Sequence, residues 1–315
     1  MQQEKRTSDT ARVRHAVTII AVTILMEYAV NAVIVLLLRL FPDMQSAWMG
    51  QIMDIAVYLT IFLIPCCVMT KWSGWTLRDL NGEGQPDRSV YVMAVCLAAG
   101  WNLTATLLSA GMSELLSIAG YAEPSDSYVL PIGTVGMVLQ IVQVAVIPPL
   151  VEELCFRGFF LKRAQRAMGV WPAILFTSVL FWLAHNSLTI LPLAFGFGII
   201  GGLLRVRYQS LLPSMCAHFV VNGTYIWVNW MQETQGAGIQ SAISAAFILA
   251  EFVCLIIGVV MAARKGLIAD MHIYMEESWL VRQRDWLRGI FTSIPFWIVL
   301  LAAGYFTYCG LEVLG

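Results

Sequence analysis

The sequence predicts an all-α protein, a polytopic transmembrane bundle of eight or nine helices with its N-terminus in the cytoplasm. Three observations carry this. Of 315 residues, 59% are hydrophobic and only 12% charged, about half the charged share of a soluble domain. Long apolar runs recur along the whole chain. The basic residues gather in alternate connections between those runs.

Nine runs qualify as candidate spans: about 16–38, 49–70, 90–108, 133–150, 171–185, 190–204, 211–230, 239–263 and 290–311. The first is too long for the apolar core of a signal peptide, so it reads as an uncleaved span. The fifth and sixth are short for a bilayer that needs about 20 helical residues, which suits tilted or shielded helices. All 19 Lys and Arg residues except Arg39 and Arg157 fall on one side if the spans alternate. The positive-inside rule makes that side cytoplasmic and puts the C-terminus outside. The chain divides into N-terminal helices (1–131), a central segment with the polar motifs (132–231) and C-terminal helices (232–315). Two cytoplasmic connections stand out. The one at 72–89 is polar and glycine-containing, and 269–288 mixes Trp279, Trp286 and aliphatic residues with charges, as either an amphipathic surface helix or a solvated linker does.

A net charge of −1 gives no basic surface for nucleic acid. Seven cysteines form no CxxC pair, and nearly all sit in apolar runs, where they read as small packing residues. Cys155 alone lies inside a charged motif, and a nucleophilic role there is the weaker reading, because thiolate formation needs a polarised, accessible setting.

The chemistry concentrates in three stretches. Residues 151–160, VEELCFRGFF, place Glu152, Glu153 and Arg157 in a run that otherwise reads as membrane-spanning, where each charge costs from about 2.5 to over 10 kcal/mol unless it has a partner or a purpose. Glu153 and Arg157 are four apart and share a helical face, so they read as a structural ion pair. Glu152 projects about 100° away from Glu153 and has no local partner, so it is the candidate for chemistry. Pro148 and Pro149 just before it should interrupt the helix and free carbonyls near the acids. The second stretch holds Phe181 and His185, the third His218 and Asn222, each pair at i and i+4. Helical rise lets Glu152, His185 and His218 meet in the cytoplasmic half of the bilayer or near its midplane. A glutamate and a histidine can activate water, and a second histidine with an amide can hold an oxyanion. Alternatively, Glu152, His185 and His218 could bind zinc with an open water position. Both arrangements suit hydrolysis of a peptide bond.

These three stretches resemble the EExxxR, FxxxH and HxxxN motifs of the CAAX prenyl protease and bacteriocin-processing (CPBP) intramembrane proteases. The resemblance covers roughly 135–230; each motif is weak alone, and the three in order are specific. It implies an α-helical intramembrane endopeptidase, with Glu152 and His185 as water activators and His218 and Asn222 as oxyanion or ligand groups. Such enzymes have been argued to work both with a metal and with a glutamate alone, and they commonly have about eight spans. The implied partners are membrane lipids and a peptide or protein substrate, in a bacterial cell membrane. Two other classes compete. A transporter or proton relay would use the same ionisable groups, but it predicts an inverted repeat that the sequence lacks. A non-catalytic immunity or regulatory membrane protein is the third reading, and the complete Glu, His, His and Asn set argues against it.

Overall fold

In a computed structural model the chain is a helix bundle, described for residues 2–40, 47–124, 133–269 and 283–313. Eleven helices make it up: α1 Gln2–Leu40, α2 Ala47–Trp72, α3 Leu77–Asn81, α4 Arg88–Ile118, α5 Gly133–Met168, α6 Val170–Leu183, α7 Leu191–Tyr208, α8 Leu212–Thr234, α9 Ala237–Arg264, α10 Gln283–Phe291 and α11 Ile294–Cys309. Two residue pairs form a short antiparallel ribbon, β1 Tyr121–Ala122 with β2 Glu312–Val313. It fastens the chain after α11 to the end of α4.

The all-α expectation holds, but the nine runs are not nine equivalent spans. Among the described residues, six helices are long and apolar enough to cross a membrane: α1, α2, α4, α5, α7 and α9. A seventh span results if α10 and α11, bent by 70°, are counted as one. The run read at 171–185 is α6, only 14 residues long, and the run at 211–230 is α8, long enough but less apolar. The reason lies in their surroundings. The apolar window of α7 is 61% buried within the protein, against 11% for α9. The interior helices α6, α7 and α8 meet one another and the polar motifs, so they need neither full bilayer length nor an apolar surface all round.

Close approach between helices comes from small residues, as expected where lipid removes the usual hydrophobic drive. Gly100 of α4 and Gly258 of α9 sit in the α4–α9 seam, where a Cβ at Gly258 would lie 2.7 Å from the Leu97 backbone nitrogen. On the other side of the bundle, α1 packs against α2, α10 and α11.

The connection at 72–89 is not merely a solvated loop. Thr76 caps α3 through a reciprocal capping box with Asp79: the Asp79 amide donates to Thr76 Oγ1 at 3.3 Å and the Thr76 amide to Asp79 Oδ2 at 2.8 Å. The Thr76 hydroxyl, which donates to Asp79 Oδ2 at 2.6 Å, and then the Thr76 amide hold the Asp79 carboxyl below its usual range. The cap aims Leu80 into the core, fully buried under α5. The Leu80 carbonyl accepts from Arg205 Nη2 at 3.0 Å, and Gly84 donates to the Gln209 carbonyl at 2.9 Å. A Cβ at Gly84 would stand 1.8 Å from the Tyr208 carbonyl oxygen, so the strap needs glycine there to lie against the end of α7. In the other connection, residues 270–282 of the stretch read as an amphipathic segment lie outside the described residues. The part from 283 onward is α10, whose Ile290 is buried and which packs on α1.

Candidate active site

The acidic motif lies in α5, and α5 is not a regular helix. It widens to π-helix at Ile141–Val146 and again at Glu153–Phe160. The first widening answers the two prolines. In place of the expected break, the helix runs continuously through Pro148 and Pro149. In α register the carbonyl of Val144 would bond the nitrogen of residue 148, and in π register that of residue 149. Both are proline and neither has a hydrogen to give. Asn222 Nδ2 donates to that carbonyl instead, at 2.8 Å. One amide hydrogen of the third motif therefore repairs the backbone ahead of the first.

The second widening begins at Glu153. Glu152, which the sequence left without a local partner, shares a neighbour with Glu153. Both face one ring: His218 Nδ1 lies 3.1 Å from Glu153 Oε1, and His218 Nε2 lies 3.8 Å from Glu152 Oε2. The second distance is too long for a direct hydrogen bond. The expected ion pair is present, with Arg157 Nη1 3.0 Å from Glu153 Oε1 and both side chains buried. The guanidinium is further held over the Phe181 ring, 4.2 Å from its centroid, and 5.4 Å from that of Phe197. Gly201 leaves it room, since a Cβ there would be 3.0 Å from Arg157 Nε. Phe181, the first residue of the second motif, thus serves as a cation–π partner. Glu153 is more than half of an ion pair. A carboxylate on Nδ1 fixes which ring nitrogen carries the proton and leaves Nε2 to face Glu152.

His185 stands just past the end of α6, with Nδ1 2.7 Å from the Phe181 carbonyl. That carbonyl accepts from Nδ1–H, so Nε2 is the free nitrogen. His185 and Glu152 line one cavity of about 310 Å³ between α1, α2, α5, α6 and α11. The turn after His185 passes through Asn186 in left-handed conformation at φ 49° and is clasped by Glu123. That carboxylate accepts from the Ser187 hydroxyl at 2.7 Å, the Leu188 amide at 2.5 Å, the Thr189 amide at 3.2 Å and the Thr189 hydroxyl. Burial raises the Glu123 carboxyl, and these donors outweigh it, so it lies below the usual carboxylate range.

The structure thus brings Glu152, Glu153, Arg157 and His218 into direct apposition and places His185 across a cavity from Glu152. Asn222 is tied to the backbone of the same helix. Among the described residues, no group of three or more His, Cys, Asp or Glu side chains is placed to hold a metal ion. Cys155 is buried, with its thiol against the Phe62 carbonyl at 3.7 Å. Two residues of the site were not anticipated. Tyr58 of α2 donates its hydroxyl to Glu152 Oε1, and Glu27 of α1 lines the same cavity. Glu27 was visible as a lone acid in an apolar run, a signal of function by itself. Tyr58 left no mark, since its partner is 94 residues away.

Comparison with known proteins agrees with the motifs. Residues 134–224 match the family described as type II CAAX prenyl endopeptidase Rce1-like. The membrane-embedded CAAX protease MroQ of Staphylococcus aureus (strain USA300) is 33% identical over 86 residues, covering 25% of this chain and 35% of MroQ. The match therefore spans about a third of that relative's length. No solved structure matches the chain.

Two predictions follow from the geometry. Removing Arg157 leaves Glu153 as an uncompensated buried charge, which typically costs about 3–5 kcal/mol. Arg157→Ala should therefore lower folded yield and melting temperature in detergent, measured by thermal unfolding; an unchanged melt would show the pair does not support the fold. The Glu123 clasp should depend on pH. Its carboxyl is lowered in the folded protein, so its stabilisation is present above the ordinary glutamate value of about 4.3 and is lost as pH falls through the lower folded value. Wild type should melt above Glu123→Gln at pH 6, with the gap closing toward pH 3. A gap independent of pH would contradict this.

Proposed function

We propose that the chain is a membrane-embedded endopeptidase acting on peptides or membrane-associated proteins at the Glu152–His185–His218 centre, a reading supported by the match of residues 134–224 to the Rce1-like type II CAAX prenyl endopeptidase model. The single observation that supports this best is the two-sided environment of Glu152. One oxygen accepts from Tyr58, and the other, buried and without a hydrogen bond, faces His218 Nε2. The carboxylate also borders the cavity that His185 enters.

In this reading a water in the cavity is oriented by His185 Nε2 and gives a proton to Glu152 as its oxygen bonds to the scissile carbonyl carbon. With the His218 ring protonated on both nitrogens, the negative charge that develops on the carbonyl oxygen is met by its Nε2–H and by the Asn222 amide hydrogen not used on Val144. Glu153, backed by Arg157, balances the positive charge on the His218 ring. Glu152 then passes its proton to the leaving nitrogen as the C–N bond breaks. The proposed setting is a bacterial cell membrane. The transporter and non-catalytic readings have no comparable support: the sequence lacks the inverted repeat a transporter predicts, and the complete Glu152, His185, His218 and Asn222 set argues against lost activity.

A zinc ion on Glu152, His185 and His218 would supply a polarised water instead. Those side chains do not form such a group as placed, so no step is assigned to a metal.

Glu152→Gln keeps the size and the Tyr58 contact but removes the base. It should melt like wild type and abolish cleavage of a peptide or protein substrate in detergent or liposomes. Cleavage at the wild-type rate would remove the assignment. Metal analysis of the same preparations, with activity after chelation and zinc re-addition, distinguishes the chemistries: one zinc lost together with activity in Glu152→Gln would replace the glutamate-only version.

A further inference from the structure

The cavity beside Glu152 contains a feature the reaction does not use. Glu27 of α1 is 6% exposed, and its Oε1 has no hydrogen-bond partner. It lines the same cavity as Glu152 and His185, and among the described residues no basic side chain pairs with it. No Lys or Arg borders the cavity either. A buried carboxylate in such surroundings is expensive unless something polar meets it. At about 310 Å³, the cavity is roughly ten times the ~30 Å³ share of one liquid water, enough for a long side chain. Its lining holds both apolar and polar side chains. Ile24, Ile61, Phe62 and Leu180 are apolar, while Glu27, Asn31 and Tyr28 are polar, one helical turn or less apart on α1. An aliphatic stem ending in a cation matches both parts, the stem along the apolar wall and the charge on Glu27.

We propose that Glu27 forms a substrate subsite next to Glu152 that takes a basic side chain, an alkyl ammonium or guanidinium, from a residue beside the scissile bond. The proposal rests on the endopeptidase reading for the ligand being part of a peptide; the site itself does not depend on that reading. Glu27 recognises substrate here and takes no part in proton transfer.

The first experiment needs no catalysis. Thermal unfolding of the full chain in detergent is followed with n-butylguanidinium, n-butylammonium or, as a neutral control of the same length, n-butanol. A ligand that binds only the folded state raises the melting temperature with its concentration. The two cations should raise it in wild type beyond n-butanol, and Glu27→Gln should lose that difference. Equal responses to cation and alcohol in wild type, or an undiminished cation response in Glu27→Gln, would overturn the subsite. The second experiment uses peptides differing only by Lys, norleucine or Glu next to the cleaved bond, with protein in liposomes. Wild type should favour Lys over norleucine by roughly 10- to 100-fold in kcat/KM, the worth of a hydrogen bond to a charged group, and Glu27→Gln should bring the ratio near one. Were Glu27→Gln to slow all three peptides equally, Glu27 would be acting on a group common to every peptide, such as the leaving amine, and the side-chain subsite would be wrong. A cation-specific melting shift with no cleavage of any peptide would uphold the cation site while removing the endopeptidase reading.

Discussion

The contact on which the site depends is the one between Glu153 and its two neighbours, the Arg157 guanidinium and the His218 ring. Arg157 and His218 approach the same carboxylate oxygen, at 3.0 and 3.1 Å, in a place where all three side chains are buried. Neither half would stand alone, because a single ionised group in such surroundings costs several kcal/mol. Together they form a compact charged unit around which the other parts are arranged. Phe181 and Phe197 cover the guanidinium, Gly201 leaves room for it, and the ring of His218 is turned so that its second nitrogen meets Glu152. The stability of the bundle's centre and the orientation of its reactive groups thus share one cause.

A second constraint comes from the backbone. A regular α-helix through residues 141–160 would place Glu152 and Glu153 about 100° apart. The two acids keep ordinary α-helical backbone angles, and the π-helical stretches on either side of them shift the register of the helix that carries both, as such widenings often do at functional sites. The pair Pro148–Pro149 makes the first one tolerable, since the hydrogen bonds a wider turn would forgo are already missing. Asn222 then ties the exposed carbonyl to α8. Proline, π turn and asparagine therefore act as one device that sets the depth and rotation of Glu152 relative to His218.

Much of this was legible in the sequence, and what was not has a physical reason. The all-helical membrane architecture followed from composition and apolar run length, which are local properties. The Glu153–Arg157 pair followed from a spacing of four, because π widening does not separate residues so close in sequence. The convergence of Glu152, His185 and His218 on one region followed from their depth along three helices. The sequence could not show that Glu153 also holds His218, because that contact depends on helix rotation set by the π turns. Nor could it show that α6 is a short interior helix, because run length says nothing of neighbours. Tyr58 was invisible for the same reason, a single tyrosine on an apolar helix that matters only through the partner it meets. Thr76 and Asp79 carry a readable capping signal inside the polar connection at 72–89. The capping box there fixes a helix that closes the bundle beneath the second π stretch.

The account stands or falls on the proton of His218. If Glu153 orients the ring as the geometry indicates, Nδ1 carries a proton whenever the protein is folded, whatever the state of Nε2. Nitrogen-15 NMR of the detergent-solubilised protein labelled at histidine, with His218 assigned by comparison with His218→Gln, reads this directly. The expected result is a protonated Nδ1 across the neutral range in wild type, with that preference lost in Glu153→Gln. A neutral ring protonated on Nε2 with a bare Nδ1 would contradict the arrangement, because Glu153 would then have no hydrogen to accept and Glu152 would face a donor fixed by something else.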